Sequence, residues 1–138
     1  MIAVADQLGK VGVKAKVQIL EWGVFSDIIR AKANGESFLI GWYDHGDAEL
    51  SLMHAMSGSP YAFWANKEFD ALMAQGRSTL DQQKREQLYW KATALMHDDP
   101  PGIFLLSLPA LYGVSSRVEN YKPEPSERFN FFPARLKP

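Results

Sequence analysis

Residues 13–42 read VKAKVQILEWGVFSDIIRAKANGESFLIGW. Val13, Ala15, Val17 and Ile19 alternate with Lys14, Lys16 and Gln18, which predicts a strand with one wet face. Val24, Phe25, Ile28 and Ile29 then recur at helical spacing among Asp27, Arg30 and Lys32, and Asn34-Gly35 is placed to close that helix. Phe38-Leu39-Ile40-Gly41-Trp42 is a short unbroken apolar run, the pattern of a central strand. Upstream, Ile2, Ala5 and Leu8 share a helical face before Gly9 and Gly12, as in the tail of a helix that begins before Met1. Helix, strand, helix, strand predicts an α/β layer with parallel neighbours.

Downstream the pattern turns helical. Asp47 is placed to cap a short helix over residues 48–57, ended by Gly58. Asn66 caps a second helix with Phe69, Leu72 and Met73 on its inner stripe. Asp81 caps a longer one, with Leu88, Ala92, Leu95 and Met96 inside and Lys84, Arg85, Glu86 and Lys91 in water; Asp98-Asp99-Pro100-Pro101 stops it. Tyr89 and Trp90 read as core or boundary residues of this helix, and Tyr61, Phe63 and Trp64 as a loop cluster that covers a sheet edge or lines a cleft. Residues 103–108 and 111–115 are predicted strands separated by Pro109. Residues 120–138 carry four Pro and three Phe without a period, and read as an extended tail that needs something to pack on. The expected organisation is therefore an α/β unit over 1–119 and a tail over 120–138.

Composition narrows the function classes. The 138 residues suffice for one ordinary domain. Fifteen Lys+Arg against sixteen Asp+Glu leave no basic excess to draw nucleic acid or an anionic membrane. With no Cys, disulfide frameworks, thiol catalysis and Cys-ligated zinc are excluded. The N-terminus reaches Asp6 too early for a signal-peptide core, and the uncharged stretch 102–116 is shorter than a membrane span. The chain reads as soluble.

The polar residues able to do chemistry cluster in Trp42-Tyr43-Asp44-His45-Gly46-Asp47-Ala48-Glu49, just past a predicted buried strand. Ligands of open α/β sheets bind outside such strand ends. A carboxylate there can accept hydrogen bonds from a ligand ammonium, and Trp42 can supply apolar or cation–π contact. The plainer reading is a capped, solvated loop. His45, Asp47, Glu49 and His54 match no compact metal-ligand spacing, so no metal is expected. Asp44 and Asp47 would be the acid pair of a free-standing α/β enzyme built on the Asp44–Glu49 loop, the alternative reading. Nucleophile-elbow, phosphate-loop and zincin motifs are absent from the sequence, and no catalytic residue or cofactor is expected.

Four segments resemble the extracellular solute-binding proteins of the peptide/nickel class (family 5), which serve ABC importers. They are residues 8–14 (LGKVGVK); Ile40-Gly41-Trp42 with its acidic loop and short helix; residues 64–72 (WANKEFDAL); and the run from Leu80-Asp81 through Pro100-Pro101 and Ile103–Leu108 to residues 117–123 (RVENYKP). Each is short, but their order and spacing cover nearly the whole chain.

The resemblance implies one lobe, the C-terminal one, of a two-lobed, exported, non-catalytic protein that closes on a small solute, peptide-like or other. It implies an N-terminal lobe, a signal peptide and an importer permease as partners outside this chain, and a periplasmic or extracellular location. It places the acid that pairs with a peptide's α-amino group on Asp44, with Trp42, His45 and Asp47 as neighbouring ligand-binding residues. The loop is one residue shorter than in peptide-binding members, and Ala48 stands where they commonly have Pro, which opens the ligand class beyond peptides. An isolated lobe is expected to bind weakly and to self-associate or exchange its tail between chains.

Overall fold

A computed structural model describes residues 1–33, 35, 37–42, 46–124 and 128–137. They form two units, residues 1–41 and 42–138. In the first, helix α1 spans Ile2–Lys10 and helix α2 spans Trp22–Arg30. Gly12 takes a left-handed φ of +88° after α1, which lets the Val13 N–H donate to the Leu8 carbonyl at 3.0 Å. The Glu21 carboxylate caps α2 by accepting from the N–H groups of Gly23 (2.7 Å) and Val24 (3.3 Å). Those bonds favour its ionised form and lower its pKa. Ile29 and Ser26 are buried.

Two expectations for this unit are corrected. Helix α2 ends at Arg30 rather than at Asn34-Gly35, of which Asn34 lies outside the described residues. Lys32 turns left-handed (φ 54°), and the Ala33 N–H donates to the Ile28 carbonyl at 3.0 Å. That closes the helix without the Asn-Gly pair. Residues 13–20 and 37–42 form no strand, so the parallel pairing expected of them is absent among the described residues. Alternation specifies which face a strand would bury, but a ladder requires a neighbouring strand to exchange hydrogen bonds.

In the second unit, helix α3 spans Ala48–Leu52 and runs into a single 3-10 turn, Met53–Ala55. Helix α4 spans Lys67–Ser78 and α5 spans Gln82–Asp98. The three expected caps are in place. Asp47 accepts from the Glu49 N–H (2.8 Å), Asn66 from those of Glu68 and Phe69 (3.0 Å each), and Asp81 from that of Lys84 (3.0 Å). Phe69, Met73 and Ala92 are fully buried between α4 and α5, joined by Tyr89 and Ala55. The predicted stripe of α4 is the observed one. On α5, Tyr89 takes a core place, Leu88 is half-buried, and Trp90 is exposed rather than core, its indole N–H donating to Glu86 at 3.4 Å. The Trp64 indole packs on Phe69 at 5.2 Å and donates to Asp99 at 2.7 Å, tying the segment before α4 to the end of α5.

The strands predicted at 103–108 and 111–115 are absent. Ile103, Phe104, Leu106, Leu108 and Leu111 are exposed, and this apolar run has no partner strand among the described residues. The sheet forms instead between β1 (Val118–Glu119) and β2 (Arg135–Leu136), antiparallel, with Val118 opposite Leu136. The tail therefore packs on its own chain. Phe131 stacks on Tyr121 (5.5 Å) and on Phe129 (5.7 Å), and Phe129 meets Tyr112 edge-on at 6.1 Å. These rings and the β1–β2 pair line a hollow of about 470 Å³.

Candidate functional site

Trp42 and Asp47 are described; Tyr43, Asp44 and His45 lie outside the described residues. The Trp42 ring lies parallel to that of His54, centroids 3.5 Å apart, and edge-to-face with Tyr61 at 4.8 Å. His54 sits in the 3-10 turn that continues α3, so Trp42 is located by the helix that follows its own loop. Trp42 keeps 41% of its surface exposed, enough to offer a ligand apolar contact. Of the aromatic loop cluster, Tyr61 joins Trp42, Trp64 packs into the core, and Phe63 is exposed.

Asp47 opens α3 and at the same time accepts two hydrogen bonds from Arg85 Nη2, at 2.8 and 3.0 Å. Glu49, two residues along, takes a hydrogen bond from Arg77 Nε on α4 at 2.5 Å and one from the Tyr89 hydroxyl on α5 at 3.4 Å; Arg85 lies 3.9 Å from it. The Arg85 guanidinium rests over the Tyr89 ring at 4.8 Å from its centre. The carboxylates at the N-cap and in the first turn of a five-residue helix are thus paired with two arginines on two longer helices. The shallow hollow beside this network, about 530 Å³, is lined by Ala48, Arg85, Glu86, Tyr89 and Trp90 among others.

The electrostatics follow from the contacts. The Arg85 hydrogen bond, and then the Glu49 N–H, hold the Asp47 carboxyl below its ordinary pKa of 3.8. Arg85 is shifted upward, chiefly by the same bond. Burial pushes the Tyr89 hydroxyl up. Asp47 is thereby held ionised, the reverse of what a general acid needs. Among the described residues, no group of three His, Cys, Asp or Glu side chains is arranged to hold a metal ion.

Acid should loosen this junction. Because the folded Asp47 pKa lies below the unfolded one, its contribution to stability is fully present above the ordinary Asp pKa. It is lost as the pH falls through the depressed value. In Asp47→Asn, the decline of the helical circular dichroism signal below pH 4 should become shallower than in the parent chain. An identical acid limb in both would contradict a role for Asp47.

Arg85 was expected to stay in water, yet its side chain is only 30% exposed and it anchors Asp47 from 38 positions away. Arg77 was likewise not legible as a neighbour of the loop, and the stacking of His54 and Tyr61 on Trp42 was not read from the sequence. One signal existed: Arg85 and Tyr89 are four apart on a predicted helix and share a face with Ala92.

No protein-family model matches the chain. It is 34% identical over 95% of its length to Di/tripeptide-binding protein 4 of Pseudomonas aeruginosa, which it covers to 26%. It is 32% identical over 88% of its length to the Dipeptide-binding protein of Escherichia coli, covering 24% of that protein. It is also 27% identical over 96% of its length to the Glutathione-binding protein GsiB of Salmonella typhimurium, covering 28%. The chain spans about a quarter of the length of these relatives. Among solved structures, HbpA2 from Haemophilus parasuis matches 97% of the chain with a TM-score of 0.65 at 23% identity, over 27% of that structure. The fold is therefore part of a periplasmic-binding-protein fold.

Proposed function

We propose, since this chain belongs to the solute-binding proteins of the peptide class (family 5), that it supplies part of the wall that captures a peptide-like solute for import, without catalysis. The observation that carries the reading is the match along 95% of the chain to a di/tripeptide-binding relative. The relatives named above are called binding proteins, none for a reaction. Residues 1–119 would then be lobe and 120–138 its tail. The working partners would be the rest of a two-lobed protein and an ABC-importer permease, and the location periplasmic or extracellular.

In this reading Asp44 pairs with the ligand ammonium, and exposed Trp42 packs against the ligand's apolar part. His45 follows Asp44 in the sequence, and Asp47 serves the site by fixing the start of α3. Capture needs no bond chemistry. A ligand that contacts the closed form better than the open one shifts the protein toward closure by that difference.

The test is calorimetry with a dipeptide such as Ala-Phe on the product of the chain's whole reading frame. Asp44→Asn should weaken binding about tenfold, the scale of one charge-assisted hydrogen bond. It should leave a blocked N-acetyl dipeptide, which lacks the ammonium, at its parent affinity. Equal Ala-Phe affinity in parent and variant would remove Asp44 from the site.

A further inference from the structure

We infer that the hollow beside β1 and β2 is a binding site for an aromatic monocarboxylate, with the rings of Tyr121, Phe129 and Phe131 receiving the ligand's ring and Arg135 its carboxylate. The inference goes beyond the peptide reading above, because it draws on no residue of the stretch 42–49.

The hollow measures about 470 Å³, within the range of about 300–1,000 Å³ usual for small-ligand pockets. Its walls are tied by the backbone. Val118 and Glu119 pair with Leu136 and Arg135. The Val118 N–H donates to the Ser115 carbonyl at 2.9 Å, the Lys137 N–H to the Arg117 carbonyl at 2.8 Å, and the Ala134 N–H to the Phe131 carbonyl at 3.0 Å. The Tyr112 hydroxyl donates to the Glu124 carbonyl at 3.4 Å. The segments that carry the rings are thus placed before a ligand arrives, which spares part of the cost of ordering them.

The rings themselves suit a flat ligand. Phe131 stacks on Tyr121 at 5.5 Å and on Phe129 at 5.7 Å, with interplanar angles of 21° and 10°. Nearly parallel rings of this kind form a series that a further ring can extend by offset stacking. Phe129 and Phe131 remain 62% and 64% exposed, so their surface is on offer rather than spent in a core.

Charge decides the polar end of the ligand. Arg135 is the charged residue among those that line the hollow. Its side chain has no hydrogen bond or ion pair among the described residues. Glu119 stands opposite it in the strand register without pairing with it. Residues 117–119 and 135–137 together carry Arg117, Arg135 and Lys137 against the acid Glu119. A ligand carboxylate therefore meets a guanidinium whose donors are all available and whose planar fork matches two carboxylate oxygens. A ligand ammonium at the same place meets repulsion.

The experiment is calorimetry on the whole reading-frame product with 3-phenylpropionate, its neutral amide 3-phenylpropanamide, and the cation 3-phenylpropylamine. The acid should bind saturably with a Kd below about 1 mM. The amide should bind about tenfold more weakly, the scale of a charge-assisted hydrogen bond, and the amine more weakly still. Arg135→Gln should bring the acid down to the affinity of the amide while leaving the amide within twofold. Phe131→Leu, which keeps the site apolar but removes a ring, should weaken acid and amide alike, by about fivefold. Glu119→Gln should tighten the acid by up to about threefold, since it removes the nearby negative charge. Saturating Ala-Phe should leave the acid's affinity unchanged, which separates this hollow from a peptide site. The inference is overturned by an acid that does not saturate up to about 1 mM, by an amine that binds as well as the acid, or by displacement with Ala-Phe. Equal losses for acid and amide in Arg135→Gln also overturn it, because Arg135 would then shape the hollow without meeting a carboxylate. Should Arg135→Gln not fold, the series of acid, amide and amine on the parent decides by itself.

Discussion

Phe69→Ala should destabilise the helical unit by about 3–5 kcal/mol, the cost of a large buried side chain replaced by a cavity. Phe69 is fully buried, shares its cluster with Met73 and Ala92, and meets the Trp64 indole in a T-shaped contact at 5.2 Å. Its removal leaves two helices facing each other across an unfilled space and takes away the surface on which Trp64 rests. Few side chains share this core, so the remaining ones cannot collapse to fill the gap. Urea unfolding followed by far-UV circular dichroism measures the effect as a drop in midpoint at unchanged slope. A loss below about 1 kcal/mol would mean that the α4–α5 contact is not the centre of stability.

Gly76→Val should cost about 3 kcal/mol, at the upper end of the usual overpacking penalty. A Cβ at this position would stand 2.6 Å from Tyr89 Cε1 and 2.7 Å from Cζ, distances that no relaxed packing allows. An exposed helical Gly replaced by a better helix former would instead gain a few tenths to 1 kcal/mol, so the sign of the result is diagnostic. The ring cannot simply step aside, because Tyr89 is buried and its hydroxyl is engaged with Glu49. The clash is therefore expected to be felt at α3 as well. A double-mutant cycle checks the cause: with Tyr89→Ala already in place, Gly76→Val should cost less than 1 kcal/mol. An undiminished penalty would place the strain elsewhere.

These two positions differ in how far they could be read from the chain. Phe69 and Met73 were legible because the period of α4 is plain and Asn66 marks its start; both are local features within one turn of each other. Gly76 was not, since what makes it necessary is the ring of Tyr89 on another helix. The same division runs through the candidate site. Asp47 was legible as a cap because its partner, the Glu49 N–H, is two residues away. Its second partner, Arg85, is 38 residues away, and an arginine at the edge of a helical stripe looks the same in sequence whether it meets water or a carboxylate.

The strand expectations failed for a related reason. Residues 103–108 have the composition of a buried strand, yet form none here, while the two short strands that do pair lie at 118–119 and 135–136. A helix closes its hydrogen bonds within its own segment, and a strand cannot.

The sequence by itself determined the caps, the helices they open, the inner stripe of α4 and, through the order of its motifs, the family. Those features depend on residues within a few positions of one another or on a pattern preserved along the chain. Only the tertiary structure decided that Asp47 is tied to Arg85, that Trp42 rests on His54, that Gly76 must lack a side chain, and that the tail folds back on Val118 and Tyr121. Each is a contact between segments apart in the chain, where packing and the pairing of partly exposed charges, rather than local propensity, select the partner.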